Sequence, residues 1–262
     1  VAAESGAQTI RRYRGNWYRY HQGCYRQIED EDIERVVQAS LGNSYHGLTS
    51  GKVASVSRML RNRCAVMSTL ESPAWLQTPD KTRAEYGWRP SDVLATRNRL
   101  IHLPSYIRGD EAATIPATIP TTPEFFAMSG VPVEFQPDAP EPTEWLKFLN
   151  GVFGGDAQSI RLLQQWFGYH LTADYRHHKI MLLLGAPRSG KGTTLRVLQR
   201  LLGPKSYAGI SLASLAGAHG TEALVGKRAA VGGDIRIDPR DRDAVRSLQS
   251  ILSISGGDEV EV

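Results

Sequence analysis

The stretch Ile180 to Leu202, IMLLLGAPRSGKGTTLRVLQRLL, decides how the rest of the chain is read. Its first five residues, Ile180 to Leu184, are an apolar run with the length and character of a buried parallel strand. A glycine-rich turn follows, and then Leu195, Leu198, Leu201 and Leu202 recur at helical spacing until Gly203-Pro204 stops the helix. The turn, Gly185-Ala186-Pro187-Arg188-Ser189-Gly190-Lys191, fits the phosphate-binding pattern G-x-x-x-x-G-K.

The residue types suit that chemistry. Glycines let backbone N–H groups close round a triphosphate, and the helix opening at Lys191 aims its unpaired N–H groups and positive dipole end at the same anion. Lys191 is expected to reach the β- and γ-phosphates. Gly192 stands where a Ser or Thr usually holds Mg²⁺, so the neighbouring hydroxyls of Thr193 and Thr194 are the candidates, Thr193 first. The expected nucleotide-binding set is Gly185, Ala186, Pro187, Arg188, Ser189, Gly190, Lys191, Gly192, Thr193 and Thr194. Arg228 to Asp234, RAAVGGD, reads as a second buried strand ending in a carboxylate, the place from which an acid holds the Mg²⁺ shell or orients water. Asp234 and Lys191 are therefore the expected catalytic pair, with Asp234 and Thr193 on the metal. Gly233 precedes Asp234, so the paired acid of many hydrolases is absent, and Asp238 before Pro239 reads as a turn.

Composition bounds the remainder. A chain of 262 residues holds one large domain or two small ones, and no run of eighteen apolar residues exists to span a membrane. Cys24 and Cys64 have no metal-ligand spacing and point to structural roles in a reducing compartment. The expected location is the cytoplasm of a bacterial cell or of a host. Residues 1–110 carry 16 Lys and Arg against 11 Asp and Glu, a balance of +5, while residues 111–262 carry 15 against 16. A basic front half suits a polyanion partner, and suits a solvated surface nearly as well. The first residue is Val and the last stretch, GGDEVEV, has no terminal signature, which is the pattern expected of a piece of a longer reading frame.

In chain order, residues 9–28 interleave Tyr13, Trp17, Tyr18, Tyr20 and Tyr25 with five arginines. They read as two or three strands turning near Gly15-Asn16 and Gln22-Gly23. Such a mixture can stack bases and hold phosphates, but a small sheet with aromatics inside and arginines outside produces it automatically. Helices are expected from Asp30 to Gly42 and from Val53 to Met67, the second with Arg58, Arg61 and Arg63 on its polar side. Pro73-Ala74-Trp75-Leu76 looks like an aromatic anchor on a turn, and Asn98 to Leu103 like a strand. Eight of the fourteen prolines fall between Leu103 and Thr143, marking an extended connecting segment, which Phe125, Phe126 and Phe135 within it can still pack down. Thr143 and Asp156 are expected to cap two helices ahead of the phosphate loop. His177-His178 lack a third ligand in reach and read as ordinary surface or core histidines. The divisions that result are 1–103 (β-rich over 9–28, then helical), a proline-rich 104–142, and a nucleotide-binding 143–262.

From Thr143 onward the order of features resembles the phage, plasmid and poxvirus-type primase-helicases, whose ATPase belongs to helicase superfamily 3. The residues that carry the resemblance are specific. Trp145-Leu146-Lys147-Phe148-Leu149 and Leu163 to Tyr169 look like the helical lead-in, and Gly185 to Thr194 like motif A. Leu224-Val225-Gly226-Lys227-Arg228 through Asp234-Ile235-Arg236 is similar to motif B, and Leu252 to Asp258 to the start of motif B′. Upstream, Tyr13 to Tyr25, Pro73 to Leu76 and Thr122-Pro123-Glu124-Phe125-Phe126 resemble the family's N-terminal helicase-associated region.

The resemblance implies a P-loop, AAA+-like α/β ATPase core, a parallel sheet with flanking helices, incomplete at its C-terminus. A mixed, mostly helical N-terminal region with a small β element precedes it. It implies ATP and Mg²⁺ as cofactors, single-stranded or forked DNA as partner, and a homo-oligomeric ring, commonly a hexamer, that couples hydrolysis to translocation during replication. No membrane partner is implied, and no particular DNA-binding residue is marked. The family's DNA loop, sensor asparagine and arginine finger are expected beyond Val262, so this piece is expected to bind MgATP and hydrolyse it poorly alone.

Two other readings compete. G-x-P-x-S-G-K-G-T also resembles nucleoside monophosphate kinases, but 184 residues precede Gly185, and Arg236, Arg240, Arg242 and Arg246 only partly serve as a lid. A non-catalytic DNA-binding or assembly module suits the basic, aromatic front but not an intact Lys191 and Asp234.

Overall fold

The computed structural model describes residues 8–42, 49–76, 87–109, 116–172, 176–216, 221–224, 227–233 and 242–256. The chain is mixed α/β with small sheets, and it divides into two units, Val1–Met128 and Ser129–Val262. The division therefore falls inside the proline-rich segment. Among the described residues no helix is long and apolar enough to cross a membrane.

The first unit opens on an antiparallel meander of β1 (Ile10–Tyr13), β2 (Asn16–His21) and β3 (Cys24–Ile28). Both connections are two-residue loops with positive φ throughout, Arg14-Gly15 and Gln22-Gly23, the geometry whose twist matches paired strands. The first turn thus sits one residue earlier than the sequence reading placed it. Gly23 is required for a further reason: a Cβ there would lie 1.9 Å from the Thr96 carbonyl oxygen.

Alternation sorts the side chains of this sheet. Ile10, Trp17 and Ile28 face α1 (Asp30–Gly42) and α2 (Ser50–Arg63), meeting Ile33, Val37, Val53, Val56 and Leu60. Tyr13, Tyr18, Tyr20 and Tyr25 face the other way and close round Phe126. Helix α2 ends four residues earlier than Met67, because Ala65 bridges to Arg12 at the sheet edge. Cys24 and Cys64 are buried and free, and burial pushes the Cys64 thiol up.

Ala74-Trp75 is not a turn. It forms β4 (Ala74–Trp75), paired antiparallel with β8 (Phe125–Phe126), so an anchor from one end of the unit is stitched to the proline-rich segment. Between them, β5 (Val93–Ala95), β6 (Arg99–His102) and β7 (Thr118–Pro120) make a second antiparallel sheet, with α3 (Leu103–Arg108) after β6. Leu100, Phe125 and Trp75 lie in its core. The proline-rich segment is packed through its phenylalanines: Phe125 and Phe126 are fully buried.

In the second unit, α4 (Thr143–Phe153) and α5 (Ala157–Tyr169) form a hairpin across Gly154-Gly155. Asp156 caps α5, accepting from the Gln158 and Ser159 N–H groups. Thr143 does not cap α4; it is the first helical residue, after Pro142, and makes no capping bond. Helix α6 (Lys191–Leu202) packs Leu198 and Leu202 against Ala229, with Phe167, Tyr207 and Val231 alongside. The strands beneath are β9 (Tyr207–Ile210) and β10 (Ala229–Gly232), a parallel pair. Arg228 fastens the start of β10, donating to the Leu171 carbonyl at 2.8 Å and the Ser129 hydroxyl at 3.3 Å. Two further helices, α7 (Leu212–Ala216) and α8 (Arg242–Gly256), are joined by the Ser247 hydroxyl, which donates to the Leu212 carbonyl.

The expected buried strand at Ile180 to Leu184 is not formed. Met181 and Leu183 are half-buried while Ile180, Leu182 and Leu184 are exposed, Leu184 by 89%. The period-2 alternation of an extended chain is there, but the ladder is not. β9 and β10 pair with each other, and among the described residues no strand lies beside 180–184. An apolar run is buried on both faces only inside a sheet whose two faces are covered by packed helices.

His170, just past α5, donates from Nδ1 to the Trp166 carbonyl at 2.9 Å. Burial lowers its pKa below the ordinary 6.5, against the opposing pull of that carbonyl. Burial lowers His102 as well, Asp92 opposing and Arg108 assisting. As pH falls through about 6.5 the unfolded chain takes up protons that these two folded histidines refuse, so stability is full above that pH and declines below it. The melting temperature is expected to fall between about pH 7.5 and about pH 5.5, and to fall less in His170→Gln.

Candidate functional site: a cationic cleft at the start of α6

The turn from Gly185 to Lys191 wraps the N-terminal end of α6. Ser189 N–H closes a turn on the Ala186 carbonyl at 3.3 Å, and Arg188 and Gly190 both take positive φ, +62° and +90°. Gly190 is the residue before the helix, and it sits against α4. A Cβ there would meet Val152 Cγ2 at 2.7 Å and the Phe148 ring at 3.0 Å. Close packing, besides the backbone angle, demands glycine here. Gly185 is tight on the inner side of the loop, where a Cβ would lie 2.8 Å from Ser189 Oγ and 3.9 Å from Lys191 Nζ.

Lys191 folds back over the loop. Its Nζ donates to the Gly185 and Ala186 carbonyls, both at 2.8 Å, and to the Ser189 hydroxyl at 3.3 Å. The ammonium is thereby held over the inside of the turn, beside a helix start whose first N–H groups have no partner within the helix. The two threonines have separated. Thr194 is buried and donates to the Gly190 carbonyl at 3.2 Å, bracing the first turn of α6. Thr193 faces the cleft, where its hydroxyl accepts from Arg196 at 2.9 Å.

The cleft has a volume of about 780 Å³, within the usual range for small-molecule sites. Of the expected set, Pro187 to Thr193 line it, with Gly185 and Ala186 behind them and Thr194 beneath. Three cations, Arg188, Lys191 and Arg196, border it, and no carboxylate does among its described lining residues. The border of the cleft is cationic.

Sequence reading missed Arg196 and the α4 wall of Phe148, Gly151 and Val152. Both signals were periodic. Arg196 is three residues past Thr193 on one helix face, and Phe148, Gly151 and Val152 are spaced i, i+3, i+4. Strand β10 brings the chain to Gly233; Asp234 lies outside the described residues, as do Val225, Gly226, Ile235, Arg236 and Asp258. His177 lies against the Tyr169 ring, 5.3 Å between centroids, and His178 Nδ1 donates to the Ser255 carbonyl at 2.8 Å.

No protein-family model matches the chain, and no curated protein matches it either.

Proposed function

We propose that the second unit is a nucleoside triphosphatase core of the superfamily 3 helicase type, P-loop and AAA+-like, and that the whole protein is the ATP-driven motor of a primase-helicase. In this reading ATP enters the cleft with its polyphosphate against the start of α6, and a homo-oligomeric ring couples hydrolysis to movement along single-stranded DNA during replication. The observation that carries the reading is the folded-back Lys191 over a glycine turn at a helix N-terminus, in a cleft bordered by three cations. The packing of α6 on a parallel strand pair supports the core assignment.

The residues of the cleft suit a nucleoside triphosphate. Lys191 exchanges its two loop carbonyls for phosphate oxygens, and Arg188 and Arg196 neutralise further charge. Mg²⁺, when bound with ATP, spreads the charge that develops on the phosphates. Thr193 offers it a hydroxyl from within the cleft, and Asp234, just beyond β10, is the proposed acid.

Phosphate release by this chain with MgATP, with and without single-stranded DNA, tests the proposal. Slow release that rises with DNA is the expected result. Release indifferent to DNA, with phosphate passed instead to a second nucleotide, sinks the motor and makes the protein a phosphotransferase.

A further inference from the structure

The five arginines of the first sheet fall into two groups. Arg11 is hydrogen bonded to Gln8. Arg12 lies 5.2 Å above the centre of the Trp17 ring and 3.7 Å from the Asp30 carboxylate. Arg14 donates to the Ser68 carbonyl at 3.1 Å, pairs with Glu71 and covers Tyr13. These three are fastened to the fold. Arg19 and Arg26 are exposed, and among the described residues neither side chain has a hydrogen bond or an ion pair. They stand directly opposite one another on β2 and β3, so two guanidinium groups leave one face of the sheet side by side. Like charges in that relation destabilise a sheet.

That face is the one α1 and α2 cover, since Arg19 is cross-strand from Ile10 and two residues along from Trp17. Helix α1 brings four exposed acids, Asp30, Glu31, Asp32 and Glu34, of which Asp30 is paired with Arg12 and Asp32 with Arg35. On the outer side of α2, Arg58 and Arg61 are exposed three residues apart, a second like-charge pair. Helix α2 also carries Lys52 and Arg63 and contains no Asp or Glu. Two pairs of like charge on one side of one small unit are an arrangement that a polyanion relieves.

We propose that this side of the N-terminal unit docks double-helical DNA by its phosphate backbone. The aromatic residues decide for duplex over single strand. Trp17, Tyr13 and Tyr25 are at most 2% exposed and committed to the cores, so they are not free as a platform for unstacked bases. What the surface offers is charge, and a duplex carries one negative charge per roughly 1.7 Å of its axis. The site belongs to the other unit and does not depend on the nucleotide reading of the cleft.

The test is anisotropy of a fluorescent duplex of about 20 base pairs, with oligothymidylate of equal length for comparison, the full chain and no nucleotide. The duplex is expected to bind more tightly, with no sequence preference. In Arg19→Ala/Arg26→Ala the slope of log affinity against log salt is expected to fall by about 2, and affinity at low salt by about tenfold or more. Arg58→Ala/Arg61→Ala is expected to do the same. Arg19→Lys/Arg26→Lys keeps most of the binding, and Arg35→Ala, whose charge is already paired with Asp32 at 3.3 Å, changes little. Because the alanines remove repulsion, the DNA-free melting temperature holds or rises, which separates lost docking from lost folding. An unchanged salt slope in both double variants, or oligothymidylate bound more tightly than duplex, overturns the proposal.

Discussion

Lys191→Ala is expected to weaken MgATP binding by about tenfold to a hundredfold, the loss of roughly 1.5–3 kcal/mol that accompanies removal of a charged hydrogen bond. The folded structure shows why the effect is confined to the ligand. Among the described residues Lys191 Nζ holds only the Gly185 and Ala186 carbonyls and the Ser189 hydroxyl, at a site open to water, where the freed carbonyls find solvent. A cation in the first turn of a helix also opposes the helix dipole, so alanine does not weaken α6. Calorimetric titration with MgATP, beside a melting curve, measures both quantities. Unchanged affinity would falsify the placement of the triphosphate, whatever became of the fold. Lys191→Arg, with its planar fork in place of a compact ammonium, is expected to recover only part of the affinity.

Phe126→Ala is expected to be the most damaging single truncation in the first unit. Phe126 is fully buried, with the Tyr25, Tyr13 and Tyr18 rings at 5.0, 5.2 and 6.2 Å. It is also half of the two-residue strand that pairs with Ala74-Trp75. Losing a buried phenylalanine costs about 3–5 kcal/mol, a large share of the roughly 5–15 kcal/mol that holds a domain together. Urea denaturation followed by tyrosine and tryptophan fluorescence reads the loss. Phe126→Leu, which keeps much of the volume, should lose clearly less. A midpoint in Phe126→Ala close to wild type would mean that the tyrosine cluster does not hold this unit together.

These two residues also mark what could be read from sequence. The loop around Lys191 was legible because glycine spacing, the start of α6 and the stop at Gly203-Pro204 are local, and local chemistry sets each. The hairpins of the first sheet and the Asp156 cap were legible for the same reason. Phe126 was legible as a residue that could pack the proline-rich stretch down, but not as part of a strand. Its partner strand lies some fifty residues away, and a two-residue ladder leaves no periodic trace. The five-residue run before the loop misled in the opposite direction. Apolar content reports a preference for burial, while burial itself depends on strands that lie elsewhere, and β9 and β10 chose each other. The α4 wall of the cleft was hidden in a helix that the sequence assigned only to a lead-in role.

The exposed run at Ile180 to Leu184 has a consequence for how the protein behaves in a crowded solution. Five uncharged apolar residues in extended form, without proline, fit the segments from which intermolecular β-sheet grows. The flanks oppose that growth. Arg176 and Lys179 bring positive charge to one side, and the glycine and proline of the loop interrupt any strand that tries to lengthen on the other. The loop residues proposed to receive phosphate therefore have a second role, as gatekeepers that shorten the sticky edge.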